Sequence, residues 1–437
     1  MGFQQGLSGL NGSSKSLDVI GNNIANASTF GFKASRAEFA DVYAGALSGA
    51  GTSPVGIGTS LQAVAQQFTQ GNISTTDNPM DLAINGGGFF QVTDGKSPTE
   101  YTRNGQFKLD QNGFIVNNDG LKLLGYPANG QGVIQPGLAS PLQLPTAGIA
   151  PSPTTKVNME FNLDSRVKPT ASDTSPGTID LSDPSTYNNA TSMTAYDAKG
   201  QEVAVTLYFQ KNVDNDDGST TWNVFATANG APFPTDANGD DIELDDKGNP
   251  TAPYATITFA AEGGAPIDPV DALNMDIPAG TNSVGASTLP ISGVQFDMTK
   301  ASENGSAFGV TDLKQDGYAP GQLTSIAIDD SGIILARYSN GQSKPAGQVE
   351  LANFRNVQGL QPLGGNVWAR TAASGDPIVG VPGDGNLGQL QAGALEETNV
   401  DLTGELVNMV TAQRIYQANS QTIKTQDQIL QTIVNLR

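Results

Sequence analysis

The sequence predicts a mainly β protein with α-helical termini, built from discontinuous nested domains. Three observations predict this. Apolar residues recur at alternating steps of three and four at the two extremes of the chain. The long middle alternates apolar and polar residues between Gly- and Asp-rich turns. A short motif that precedes the most acidic stretch returns after it.

The first helix is expected from about Phe3 to Ala27. Leu7, Leu10, Ser14, Leu17, Gly21 and Ile24 fall on one narrow stripe, with Ile20 beside it, as in a coiled-coil seam. Gly6, Gly9, Gly12 and Gly21 each cost about 1 kcal/mol relative to Ala in a helix interior, so the helix depends on packing. Gly31 is placed to supply a left-handed cap. Phe30 and Phe32 flank it, either as a local hydrophobic anchor or as a subunit contact.

Residues 32–76 are rich in Gly, Ala, Ser and Thr and read as an extended connector with short strands. From Asp77 the β-signals sharpen. Asp81-Leu-Ala-Ile-Asn-Gly-Gly-Gly-Phe-Phe-Gln-Val92 reads as strand, Gly-rich turn, strand. Asn104-Gly105, Asn112-Gly113 and Asp119-Gly120 read as hairpin turns. Beyond Ala150, Val203, Val205, Leu207 and Phe209 mark one strand, and Thr221–Ala226 another. After Ala319 the earlier style returns: Ile328-Asp-Asp-Ser-Gly-Ile-Ile-Leu335 echoes Leu109-Asp-Gln-Asn-Gly-Phe-Ile-Val116. The expected division is therefore a helical core domain (1–31 and 397–437), a connector (32–76), an inner β-domain (77–149 and 319–396) and an inserted outer acidic β-domain (150–318).

The last helix is expected to start near Thr398-Asn399, with Asp401 in its first turn, and to run to Leu436, about 55 Å at 1.5 Å per residue. Leu402, Leu406, Met409, Gln413, Tyr416, Ser420, Ile423, Asp427, Leu430 and Val434 form its seam. The two seams pair with each other, with the same helices of neighbouring copies, or simply close as a hairpin within one domain.

Composition excludes whole classes of chemistry. With no Cys and no His, disulfides, thiolate nucleophiles, His-dependent triads and Cys₄-type zinc sites are ruled out. Net charge is −21, and residues 150–318 carry 24 acidic and 8 basic side chains, a net of −16. Such a body lacks the basic footprint that nucleic acid requires and fits a solvated outer surface. No apolar run approaches the roughly 20 residues of a membrane helix, so no membrane insertion is expected. No basic segment followed by an apolar core opens the chain, so no cleavable signal is visible; export by a route without one stays open.

Three motifs invite a binding role. Gly383-Asp-Gly-Asn-Leu-Gly388 matches G-x-G-x-x-G, but Pro382 and Gly393 break the strand–turn–helix context a dinucleotide needs. The Asp clusters at 214–218 and 236–241 fail the EF-hand pattern, because Asp241 and Lys247 stand where Gly and Glu are required; turn chemistry is the alternative. Paired carboxylates for glycoside hydrolysis remain open by count, without an aromatic-rich cleft. The expectation is no enzyme activity, no cofactor and no metal site. An acidic calcium-dependent binding module and a glycan-active enzyme are the readings from other classes.

Gly21-Asn-Asn-Ile-Ala-Asn-Ala-Ser-Thr-Phe-Gly-Phe-Lys33 closely resembles the N-terminal signature of the bacterial flagellar rod and hook proteins. Asn399-Val-Asp-Leu402, Glu405-Leu-Val-Asn-Met-Val410 and Gln413-Arg-Ile-Tyr-Gln-Ala-Asn419 resemble their C-terminal signature, and Asp81–Phe90 matches their inner β-domain. The resemblance covers about half the chain. Length and the outer insertion resemble the hook type more than the shorter distal rod type. The resemblance implies a curved, flexible tubular homopolymer around an export channel, lying outside the cell. It also implies partners: the distal rod protein, a hook cap protein, a hook–filament junction protein, a hook-length control protein and the flagellar type III export apparatus. The expected assembly interface is Leu7, Leu10, Leu17, Ile20, Ile24, Phe30, Phe32, Leu402, Leu406, Met409, Tyr416, Ile423, Leu430 and Val434. Hinges are expected around Gly45–Gly58 and near Thr146 and Ala319.

Overall fold

The computed structural model describes residues 2–42, 56, 58–145, 147–171, 177–213, 215 and 217–435. It is mainly β, with helix α1 (Gly2–Ala25) at one end and α2 (Leu402–Asn435) at the other. The chain divides into two compact units. The first holds residues 1–146, 324–337 and 343–437; the second holds 147–323 and 338–342. No helix among the described residues is long and apolar enough to cross a membrane.

In the first unit, β1 (Ser35–Val42) pairs antiparallel with β2 (Gly58–Gln66) in one long hairpin. The sequence predicts only a connector with short strands here. The difference is packing: α1 lies on this hairpin, with a Cβ at Gly12 reaching 3.4 Å from Phe39. Of the expected Gly45–Gly58 hinge, only Gly56 and Gly58 fall among the described residues, and Thr146 falls outside them.

A large mixed-length sheet then runs from Leu323–Ile328 through Ile333–Tyr338, Ser343–Val349, Lys122–Pro127, Phe89–Thr93 and Glu100–Thr102 to Val367–Ala369 and Gln361–Gly364. Residues from before and after the acidic insertion interleave in it. Leu82, Ile84, Phe90, Val92 and Ile115 pack with Ile334, Val349, Leu351 and Leu390 in one core. A second cluster sets Phe89, Tyr101, Phe354 and Trp368 in edge-on aromatic contacts, joined by Phe68. Trp368 Nε1 donates to Gln66 Oε1 at 2.6 Å, pinning the end of β2 to this cluster.

The echoed motif is one turn built twice. Asp110 Oδ1 accepts from the amides of Asn112 and Phe114, and Asp329 Oδ1 from those of Ser331 and Ile333. Gly113 and Gly332 supply the positive φ that follows. Asn104-Gly105 is not a hairpin turn. The strands on either side of it do not pair, and Gly105 is required because a Cβ there would lie 1.6 Å from Leu82 O.

The second unit is a sandwich. One sheet carries Leu273–Ile277, Ile291–Asp297, Lys156–Asp164 and Ser302–Asn304, with Gly309–Gln315 also on Lys156–Asp164. The other orders Asn189–Tyr196, Glu202–Lys211, Thr220–Ala228, Ala255–Phe259 and Pro266–Asp268. Val203, Val205, Leu207 and Phe209 are buried as their alternation predicts, facing Val157, Met159 and Phe161 of the other sheet. The buried Glu303 accepts from Trp222 Nε1 at 3.1 Å and from Thr220 Oγ1. Within this unit, residues 149–152 bridge antiparallel to 318–321, so the two passages of chain run side by side.

Candidate assembly interface

α1 and α2 pack antiparallel. A Cβ at Gly6 would meet Ile423 Cγ1 at 3.0 Å, one at Gly9 would meet Asn419 Nδ2 at 2.8 Å, and Asn23 Nδ2 donates to Glu405 Oε1 at 3.3 Å. Glycines read from sequence as a cost to the helix are what let its backbone approach α2. The stripe that α1 buries is Gly6, Ser13, Ile20 and Asn23. It lies one residue off the predicted seam, because the close contacts select small residues. Leu10, Leu17 and Ile24 are therefore half-buried at its flank and Leu7 is exposed.

On α2, Met409 and Ile423 are half-buried, and Ala412 is the one buried residue among those described. Leu402, Leu406, Tyr416 and Leu430 are exposed, as are Val407, Val410, Ile415 and Ile429 outside the predicted seam. Val434 lies in the last turn, and its side chain is outside the described ones. With Gly6 beside Ile423, the first described turn of α1 falls short of the final turns of α2, and among the described residues Ile429 and Leu430 have no α1 residue opposite them. A cleft of about 380 Å³ opens where α1, β1 and α2 diverge, lined by Ile20, Asn23, Glu405, Ala412 and Ile415.

The roots of the two helices meet at a buried joint. α1 ends at Ala25, and Gly31 (φ 70°) is not its cap. Gly31 instead donates to Glu396 O at 2.9 Å, and a Cβ there would lie 2.6 Å from Asn104 N. Phe30 and Phe32, on either side, are half-buried. Two residues on, Lys33 Nζ donates to Glu396 Oε1 at 2.6 Å and Thr69 O at 2.8 Å. Arg103 donates to Glu396 Oε2 at 3.0 Å and to Gly86 O at 2.8 Å, and the amide of Gly71 reaches Glu396 Oε1 at 2.9 Å. The side chains of Lys33 and Glu396 are fully withdrawn from solvent, that of Arg103 nearly so. Burial pushes the Lys33 ammonium below its ordinary range, against the pull of Glu396, and acts likewise on Arg103.

Neutral pairs flank this centre. Asn23 and Ser35 exchange hydrogen bonds at 2.8 and 2.9 Å. Asn399 accepts from Ala34 N at 2.8 Å and donates to Gln67 O at 2.7 Å. That use of Asn399 is why α2 starts at Leu402 rather than near Thr398. Asp401 then stands before the helix and accepts from Thr403 N at 3.1 Å, the geometry of an N-cap. Lys33 and Asn399 lie inside the two end motifs, yet no local signal marks them as partners.

The other candidates resolve into turns. Asp236 Oδ1 accepts from the amides of Asn238 and Asp240, while Asp214 is outside the described residues. Gly383–Gly388 links strand Ile378–Gly380 to strand Gln389–Ala392 with no helix following, which removes the βαβ context of a dinucleotide site. Among the described residues no group of acidic side chains is disposed to hold a metal ion.

Comparison with known proteins agrees along the whole chain. Four family models match: the flagella basal body rod protein over residues 3–33, the flagellar hook protein FlgE/F/G D1 domain over 83–162, the flagellar basal body protein FlaE D2 domain over 162–318, and the flagellar basal body rod FlgEFG protein C-terminal model over 391–436. The flagellar hook protein FlgE of Salmonella typhimurium is 40% identical over 439 residues, covering 100% of both chains. That of Escherichia coli is 40% identical over 441 residues, again covering 100% of both. The crystal structure of Helicobacter pylori flagellar hook protein FlgE2 shares the fold, with a TM-score of 0.50 at 15% identity, over 74% of this chain and 100% of that one. The chain thus belongs to the flagellar hook protein FlgE family.

Proposed function

We propose that this chain is the mechanical subunit of a universal joint: a curved, flexible tube that transmits torque from motor and rod to filament and encloses an export channel. Its family makes it a structural subunit of the flagellar hook, assembled from copies of itself. The observation that supports the finer reading is the row of large exposed apolar side chains on α2, which continues beyond its contacts with the described part of α1. A lone subunit would leave this row in water, and copies stacked head to tail would bury it. A head-to-tail contact that does not close generates an open helical filament.

On this reading Leu7, Leu402, Leu406, Tyr416, Leu430 and Val434 contact neighbouring copies, while Ile20 and Ile423 serve the pairing within the subunit. Leu10, Leu17, Ile24, Phe30, Phe32 and Met409 lie at the edge between the two. The expected division into a helical core (1–31 and 397–437), an inner β-domain (77–149 and 319–396) and an acidic domain (150–318) is kept on this reading, with bending at the Thr146 and Ala319 crossings. The remaining partners are those the family resemblance implies: distal rod, cap, junction and length-control proteins and the type III export apparatus. Export without a cleaved signal, to the cell exterior, completes the reading.

The test is electron microscopy of the full chain concentrated in a kosmotropic salt, which favours burial, with limited proteolysis of the dilute protein. Curved tubes are expected, with the termini cleaved more readily in the dilute protein than in the tubes. A straight, rigid polymer would favour a rod-type component. Monomers with protected termini under all conditions would overturn polymerisation.

A further inference from the structure

The buried joint carries one charge more than it needs. Glu396 is a single carboxylate shared by two cations, and burial of an ion is offset only where charges balance and hydrogen bonds are complete. Arg103 and Glu396 would balance alone. Arg103 follows strand Glu100–Thr102 and is anchored on the carbonyl of Gly86. Glu396 ends strand Ala394–Glu396, which pairs with Ile73–Thr75. Both are held by the β-structure whether or not α1 is in place.

Lys33 is the surplus cation, and it belongs to the other end of the chain. It arrives two residues after Gly31 and two before β1, and its ammonium meets only Thr69 O and the Glu396 carboxylate among the described residues. Without Glu396 seated, docking this segment would bury a bare ammonium beside Arg103. The segment leaving α1 is therefore electrostatically conditional on the segment entering α2. Asn399–Ala34, Gly31–Glu396 and Asn23–Glu405 tie the same two segments, and a Cβ at Gly71 would lie 2.0 Å from Glu397 O, so the surrounding backbone is already closed around the site.

We propose that Lys33 is a positioning residue for assembly: with Arg103 and Glu396 it forms a buried latch between the two chain ends, so that a subunit presents both terminal helices to its neighbour together or not at all. The assembly half rests on the hook-subunit reading; the latch itself does not.

Lys33→Met keeps the length of the side chain and leaves the balanced Arg103–Glu396 pair. The full-length variant should melt at the wild-type temperature or above. Hydrogen exchange at the amides of Gly31 and Ala34 should quicken at least tenfold, while exchange in strand Phe89–Thr93 stays unchanged. The protein concentration needed for polymerisation should rise at least tenfold. Glu396→Gln, which strands two cations, should instead lower the melting temperature. Lys33→Arg, which keeps the charge, should hold exchange at Gly31 and Ala34 closer to wild type than Lys33→Met does. Unchanged exchange in Lys33→Met overturns the latch. So does a fall in its melting temperature equal to that of Glu396→Gln, which would make Lys33 an ordinary structural charge. Faster exchange with unchanged polymerisation overturns the assembly half. Failure of the wild-type chain to form tubes counts against the hook reading, and the exchange data still decide the latch.

Discussion

Asp245 shows how the acidic character of this chain is used. Its Oδ1 accepts from the amides of Lys247 and Asn249, at 2.8 and 2.7 Å, as Asp110, Asp236 and Asp329 accept in their own turns. Hydrogen bonds from the Asn249 and Lys247 amides hold its carboxyl below the usual range. The calcium-like cluster at 236–241 is thus one copy of a repeated turn. The turn needs a positive φ at Gly248, where an added Cβ meets open space. Gly248→Ala therefore tests conformation alone, and should cost about 1–2 kcal/mol in the melting of the second unit, with Gly248→Asn costing less. A neutral Gly248→Ala would remove the turn from the stability argument. A second residue-scale prediction concerns Tyr126, whose hydroxyl donates to Glu350 Oε1 at 2.6 Å. Desolvation first, then that hydrogen bond, pushes its phenol up to about 12 from 10.0. A raised acid keeps its proton in the fold after the unfolded chain has lost it. Its contribution is complete below about pH 10 and is lost as pH climbs toward 12. Tyr126→Phe should therefore flatten the alkaline loss of stability of the first unit between these values. An unaltered pH profile would show that Tyr126 does not control it.

The two terminal helices were legible as elements, and their faces were not. Steps of three and four locate α1 and α2 because any buried helix imposes that period. They do not say which of two adjacent stripes meets the partner, since Gly6 and Gly9 carry no apolar signal yet give the closest approach to α2, and Ser13 is buried without one. The outer strands were legible because period-two burial writes itself directly into Val203, Val205, Leu207 and Phe209. The joint was illegible for a different reason: Lys33 and Glu396 lie 363 positions apart, and charge pairing leaves no periodicity. These faces separate two variants that sequence alone treats alike. Leu406 is exposed on the subunit, so Leu406→Asp should leave its melting and helix content unchanged and still block polymerisation. Ile423 sits against Gly6, so Ile423→Asp should also loosen the helix pair, lowering helical circular dichroism. An unpaired carboxylate forced into a packed contact costs several kcal/mol, enough to suppress tubes in either case. Normal tube yield from Leu406→Asp would take the exposed face of α2 out of the assembly interface.

For the whole molecule, assembly and charge fall in different units. The helices, the joint and the exposed apolar row all lie in the first, while residues 150–318 carry −16 of the total −21. Removing that stretch would leave a chain of about −5 by the same count. Its ends are neighbours: Ile149 N donates to Gly321 O at 2.8 Å, and Gly321 N returns the bond to Ile149 O at 3.2 Å. A short Gly/Ser linker can therefore replace residues 150–318 without pulling on the first unit, because loop closure costs little when the ends already meet. The strands that flank the insertion, Ser140–Pro141 before it and Leu323–Ile328 after it, keep their partners in the first unit's sheet. The shortened chain is expected to fold, to retain both helices and to polymerise. Like-charged surfaces brought together repel, and salt screens them over about 10 Å at 0.1 M. Polymerisation of the full chain should accordingly respond more steeply to added sodium chloride than that of the shortened chain. Equal salt dependence would mean that the acidic domain stays clear of its copies in the tube, and failure of a folded, shortened chain to polymerise would place part of the assembly interface in the second unit.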